Sequence, residues 1–105
     1  MRYEILLAPG AVRELNRLAA VTRSEVRAAM EEHLRHQPTR TSKSRIKRLR
    51  GIRKPEYRLR VGEIRVFYDV RGRTVEVLAI IAKAQAERWL AQEGVPDAEG
   101  SAGES

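Results

Sequence analysis

Three arginines and a phenylalanine interrupt an otherwise apolar stretch, Tyr57-Arg58-Leu59-Arg60-Val61-Gly62-Glu63-Ile64-Arg65-Val66-Phe67-Tyr68. With Gly62-Glu63 as a two-residue hairpin turn, Val61 pairs with Ile64, Arg60 with Arg65, Leu59 with Val66, Arg58 with Phe67 and Tyr57 with Tyr68. Successive strand residues point to opposite sides. One face therefore carries Tyr57, Leu59, Val61, Ile64, Val66 and Tyr68, and the other carries Arg58, Arg60, Arg65 and Phe67. Like charges across a strand pair oppose folding by a few tenths to about 1 kcal/mol. Three adjacent arginines are thus a poor choice for stability alone. They suit a surface that meets phosphate, where guanidinium offers permanent charge and paired donors. The competing reading is a solvated outer face whose arginines pair with Glu76. Phe67 either stacks a base or packs against Leu78 and Ile80, and packing is the favoured expectation.

The charge around this stretch has the same sign. The chain of 105 residues holds 21 Lys+Arg against 14 Asp+Glu, a formal net charge of +7. From Arg35 to Arg60 there are eleven basic residues and a single acid, Glu56. Such a block is either a solvated loop or an anion-binding surface. We expect Lys43, Arg45, Lys47, Arg48, Arg50, Arg53 and Lys54 to contribute sequence-independent affinity for nucleic acid. Arginine does not give up its proton at accessible pH, so a general base must be one of the four lysines, a histidine or a group outside the chain. His33 falls on a helical apolar stripe and reads as a core-edge residue. With His36 it forms a pair lacking a third ligand, so no metal and no cofactor is expected. The absence of cysteine excludes disulfides, Cys-ligated metals and thiol nucleophiles. No apolar run reaches the ~18 residues of a membrane span, and the N-terminal apolar stretch is too short for a signal peptide. A cytoplasmic protein with no membrane association is the expectation.

The elements that must hold these residues are legible as an order. Residues 3–8 have strand character and end at Pro9-Gly10. Ala11, Val12, Leu15, Leu18 and Ala19 form a helical stripe. Thr22-Arg23-Ser24-Glu25 reads as a capping box opening a second helix through Val26, Ala29, Met30, His33 and Leu34. Residues 38–54 read as a basic loop pinned by Ile46, Leu49 and Ile52. Strands follow at Glu56–Val61, Ile64–Val70 and Thr74–Ala82, separated by Gly62-Glu63 and Arg71-Gly72. After Lys83 a short helix carries Trp89 and Leu90 and ends at Gly94. The expected fold is α+β: an N-terminal strand, a helical hairpin, a three-stranded antiparallel meander and a short C-terminal helix. One domain spans residues 1–94, and residues 95–105 are expected to be a disordered acidic tail. Where the first strand joins the sheet is open.

This order, the Ile46-Lys47-Arg48-Leu49-Arg50-Gly51 segment and the Tyr57–Tyr68 stretch together resemble the RelE/ParE superfamily of type II toxin–antitoxin toxins, from Tyr3 to Leu90. The resemblance implies a ribosome-dependent mRNA endoribonuclease, in which a ribose 2′-hydroxyl attacks the neighbouring phosphorus and translation stops. Carried over by position, Arg58, Arg60 and Arg65 become catalytic, with Lys83 in the basic region after the last strand. Ala84 and Leu90 stand where such enzymes place a late arginine and a tyrosine. Two alternatives stay open: a ParE-like inhibitor of DNA gyrase with no nuclease site, and a non-toxic nucleic-acid- or protein-binding member of the fold. The implied partners are the ribosome and mRNA, or gyrase, and an acidic antitoxin. For that antitoxin Trp89 is either the anchor or a residue closing the domain's own core.

Overall fold

Alternation between apolar and polar residues sets the sheet, and a computed structural model describes residues 2–97 of the chain. The elements are β1 (Glu4–Leu7), α1 (Pro9–Arg17), α2 (Ala20–Ala29) continued by a π-helical turn (Met30–Leu34), β2 (Ile46–Arg48), β3 (Ile52–Lys54), β4 (Tyr57–Val61), β5 (Ile64–Arg71), β6 (Thr74–Ala82), α3 (Lys83–Glu93) and β7 (Val95–Pro96). Five strands form one sheet in the order β1-β6-β5-β4-β2, and β3 and β7 form a small second one. β1 runs parallel to β6, whereas the β4–β5 and β5–β6 pairs are antiparallel. The architecture is α+β, with the first strand docked on the far edge of the meander.

The hairpin register is the one the alternation requires: Tyr57 faces Tyr68, Arg58 faces Phe67, Leu59 faces Val66, Arg60 faces Arg65 and Val61 faces Ile64. Gly62 takes φ +56° at the first turn position, a conformation that costs glycine little and that matches the twist of the flanking strands. α1 and α2 cover the face bearing Leu59, Val66 and Tyr68, contributing Ala11, Leu15, Val26, Met30 and Leu34 to one core. On the opposite face α3 lays Ala86, Trp89 and Leu90 over Phe67, Ala79 and Ile81 in a second, smaller core.

A bulge in β6 divides that strand between the two cores. Phe67 pairs with Ala79 but Tyr68 with Val77, which leaves Leu78 as the extra residue. Side-chain parity reverses there. Val75, Val77 and Ile80 serve the first core, whereas Ala79 and Ile81 serve the second. Phe67 packs as expected, but on Ala79, Ile81 and Trp89 rather than on Leu78 and Ile80. Beyond the end of β1, the Ile80 N–H donates to the Glu14 carboxylate of α1 at 2.9 Å, so a buried donor is not left unpaired.

Four sequence expectations are corrected. Thr22–Glu25 lie inside α2, because extended backbone at Leu18 and Ala19 already makes the corner and α2 starts at Ala20 without a side-chain cap. The basic segment is not all loop: β2 adds to the sheet through Ile46–Leu59 and Lys47–Arg58 pairs, its pattern being too short to show a period. The second turn is Gly72-Arg73, since Arg71 still pairs with Thr74. Val95 and Pro96, read as tail, pair with β3, and the Asp97 N–H reaches the Gly51 carbonyl at 3.0 Å. Residues 98–105 of the expected tail lie outside the described residues.

Tyr68 tests the first core. It is fully buried, stacks on Tyr57 with ring centroids 5.5 Å apart, and donates its hydroxyl proton to the Pro38 carbonyl at 2.6 Å. This bond ties the chain after the helices to the sheet. Tyr68→Phe keeps the stack and orphans a carbonyl, so it should cost about 1–2 kcal/mol. Urea unfolding measures this, and an unchanged midpoint would contradict the assignment.

Candidate functional site: the arginine face

Strand pairing gathers the cations into two adjacent rows. Lys47, Arg58, Phe67 and Ala79 follow one another across β2, β4, β5 and β6. Arg60, Arg65 and Ile81 form the next row. Lys83 opens α3 at the same end of the sheet, where its N–H is held by the Glu63 carbonyl at 2.7 Å. Arg58, Arg60, Arg65 and Lys83 are thus brought together, and Lys47 joins them.

The three arginines are in different environments. Arg60 is exposed and Arg58 half-buried. Arg65, expected to point away from the core, does lie on the opposite face but is only 5% exposed. Its guanidinium folds back to donate to the Gly62 and Ile64 carbonyls at 2.9 and 3.0 Å, bracing the turn. The Arg58 Nε is buried with no hydrogen-bond partner. Burial, and then the neighbouring charges of Arg65 and Arg60, hold the Arg58 guanidinium below its ordinary value. Among the described residues, Arg58, Arg60, Arg65, Lys47 and Lys83 form no ion pair. The competing reading fails here, because Glu76 pairs with Lys54 at 3.9 Å and Arg71 at 3.4 Å instead. An unpartnered buried donor amid like charge is unfavourable on its own. A phosphate oxygen would satisfy it.

The wider basic set divides into committed and uncommitted groups. Lys54 lies 3.8 Å from Asp69, and Arg48 lies 3.9 Å from Glu56 with its guanidinium 5.3 Å from the Tyr57 ring centroid. These two are engaged by acids of the chain itself. Lys43, Arg45, Lys47, Arg50 and Arg53 are exposed. Trp89 is half-buried and stacks on Phe67 with centroids 5.1 Å apart and planes 17° apart, closing the chain's own second core. Leu90 belongs to the same core, and Ala84 is exposed on the first turn of α3.

Candidate bases are few. His33 belongs to the helical layer on the other side of the sheet. Burial, with Tyr57 nearby, pushes the Tyr68 phenol far above its ordinary value, which keeps it a proton donor to Pro38. Arg58, Arg60 and Arg65 can orient phosphate and stabilise negative charge, but they cannot accept a proton. Among the described residues no cluster of His, Asp or Glu has the form of a metal site. No helix among them is long and apolar enough to cross a membrane.

The family model described as ParE toxin of type II toxin-antitoxin system, parDE, matches residues 5–87. The chain belongs to this family. It is a toxin of a type II toxin–antitoxin system, in the RelE/ParE superfamily. A search of curated proteins finds no match. Among solved structures, the RelE-RelB complex from Pyrococcus horikoshii OT3 contains a chain that is 22% identical, with TM-score 0.65, over 81% of this toxin and 99% of that chain. The RelB-RelE antitoxin-toxin complex from Methanococcus jannaschii gives 23% identity and TM-score 0.63, over 80% of this toxin and 96% of that chain. A mutant of E. coli toxin RelE in the free state gives 23% and 0.65, over 87% and 93%. At these identities the likeness is one of fold.

Sequence reasoning missed one part of the toxin's arginine face and one neighbouring support. Lys47 was legible as basic, but its place beside Arg58 depends on β2, three residues long. Asp69 sits beyond Phe67 on the same side, 5% exposed, and accepts the Glu56 N–H at 2.8 Å. An acid at an inward-facing alternate position was the available signal.

Two predictions follow from these environments. Arg58→Met removes a half-buried charge that faces Arg60 and Arg65, and should raise unfolding stability by about 0.5–1 kcal/mol, while sulfate should raise the wild-type Tm more than the variant's. Thermal unfolding with and without sulfate checks both, and a less stable variant would contradict the reading. Asp69 concerns pH. Burial holds its carboxyl above the ordinary range, against the Glu56 N–H and Lys54. The folded chain thus binds this proton more tightly than the unfolded one. The resulting stability is complete below the ordinary carboxylate range and is lost as pH rises through the raised value. Asp69→Asn can keep the Glu56 bond, so its stability should fall less than wild type between about pH 4 and pH 7. Urea midpoints across that range measure the difference.

Proposed function

We propose that this toxin is a ribosome-dependent mRNA endoribonuclease whose arginine face holds the scissile phosphate. The supporting observation is the acid-free cluster of Arg58, Arg60 and Arg65, in which the Arg58 Nε is buried without a partner. A protein-only contact does not need such a group, whereas a phosphodiester supplies the acceptors it lacks. In the reaction the RNA 2′-oxygen bonds to phosphorus, the bond to the 5′-oxygen breaks, and a 2′,3′-cyclic phosphate and a 5′-hydroxyl remain. Arg58 and Arg60 stabilise the charge that builds on the non-bridging oxygens. Arg65 braces the turn that carries them. Lys83, at the Arg60–Arg65 end, is assigned to protonating the leaving 5′-oxygen. The proton of the 2′-hydroxyl goes to a group on the ribosome, which accounts for dependence on it. The exposed Lys43, Arg45, Lys47, Arg50 and Arg53 add salt-dependent affinity for the RNA backbone. The neutralising partner is an acidic antitoxin that covers this surface.

A second reading, inhibition of DNA gyrase, is favoured by the family match itself and by Ala84 and Leu90 in place of a late arginine and tyrosine. Induction in cells separates the two. Translation stopping before any DNA breaks appear supports the nuclease, breaks appearing first support gyrase, and normal growth removes both. Under the first reading, Arg60→Ala should lower RNA cleavage on ribosomes by about 10²-fold while leaving the fold intact, since Arg60 is exposed. Full cleavage by this variant would contradict the assignment.

A further inference from the structure

Around the β2 edge from the arginine face lies a separate cleft of about 270 Å³, between the end of the helical layer and the start of β2. Its walls carry His33, Arg40, Thr41, Ser42 and Arg45, with Glu32 and Gln37 on the helical side and Ile46 as the apolar floor. The loop that forms it is held by its own bonds. The Arg45 N–H donates to the Ser42 hydroxyl at 3.0 Å, the Ser42 N–H to the Ile46 carbonyl at 3.0 Å, and the Arg40 guanidinium to the Gln37 carboxamide at 3.2 Å. Glu32 approaches His33 Nε2 at 3.7 Å.

The cleft connects physically to the arginine face. Arg45 accepts the Arg60 N–H at 2.9 Å through its carbonyl and returns its guanidinium to the Arg60 carbonyl at 3.3 Å. One residue thus touches both places. We propose that this cleft is a second subsite that takes one flanking nucleotide of the single-stranded RNA held on the arginine face. The inference rests on the RNA reading of that face.

The chemistry of the walls fits that occupant. An imidazole and a guanidinium are planar surfaces on which a base stacks without regard to its identity. The Thr41 hydroxyl and the remaining proton of the Ser42 hydroxyl can bond a base edge or a 2′-hydroxyl. Arg40 adds a cation for the following phosphate. The volume is below the range of drug-sized ligand pockets, which suits a single nucleotide rather than a folded RNA element.

The test uses the full chain and two 2′-O-methyl oligonucleotides that cannot be cleaved, a dinucleotide and a pentanucleotide. With the subsite present, the longer oligomer binds about tenfold tighter, the value of one stacked base. Arg40→Gln, and Arg40→Gln with Thr41→Ala, change exposed positions. They should remove most of that gain, and the dinucleotide affinity serves as the internal reference. The His33 ring resonances should shift with the pentanucleotide and not with the dinucleotide. A wild-type chain without the length gain, or variants that keep it, would overturn the subsite while leaving the arginine face standing. A wild-type chain that binds neither oligomer overturns both.

Discussion

The pairing of β4 with β5 is the constraint on which everything else rests, because strand parity allows only one division of this hairpin between core and surface. Slipping by a single residue would turn Leu59, Val66 and Tyr68 outward and drive Arg58 and Arg60 under the helices. Burying unpaired guanidinium costs several kcal/mol, so the slipped hairpin is not a competitor. The turn at Gly62-Glu63 sets the register locally, and Arg65 reinforces it by donating to the carbonyls of Gly62 within the turn and Ile64 just after it. The same side chain therefore belongs to the cationic cluster and to the device that positions it.

A sheet with one oily face and one cationic face would ordinarily need only one covering layer. Here the second face is also partly roofed, and the β6 bulge makes this possible. By reversing parity at Leu78 it lets one strand supply Val77 and Ile80 to the helical hairpin and Ala79 and Ile81 to α3. The roof rests on Phe67, directly across from Arg58. The arginine cluster and the α3 packing site thus occupy neighbouring strand positions. Beside the roof Arg58 is half-buried, and a less aqueous setting strengthens its interaction with any anion that enters.

The basic residues are not one undifferentiated surface. Where an acid is within reach the cation serves the fold, as Lys54 does with Asp69 and Glu76, and Arg48 with Glu56 and the Tyr57 ring. Where no acid pairs with it, as around Arg58, the cation is available to a polyanion. Exposed cations of this kind attract any polyanion at long range, an attraction that salt weakens. The half-buried ones can hold a phosphate once it arrives.

Much of this was legible in the residues themselves. Period-2 alternation across Tyr57–Tyr68 and a glycine able to take positive φ determined the hairpin, its register and its arginine face, because both signals are local. The element order and the α+β class followed from equally local periodicities, and the kinship to RelE/ParE toxins rested on the same stretch. Tertiary structure alone decided what carries no local signal. Lys47 reached Arg58 only because a three-residue strand found an edge to pair with. Val95 and Pro96 left the expected tail because β3 offered them partners. The bulge at Leu78 chose which core Ile80 and Ile81 would serve, and Trp89 met Phe67 across a gap of more than twenty residues. These outcomes depend on which distant surfaces remained to be covered, and a pattern read along the chain holds no record of that.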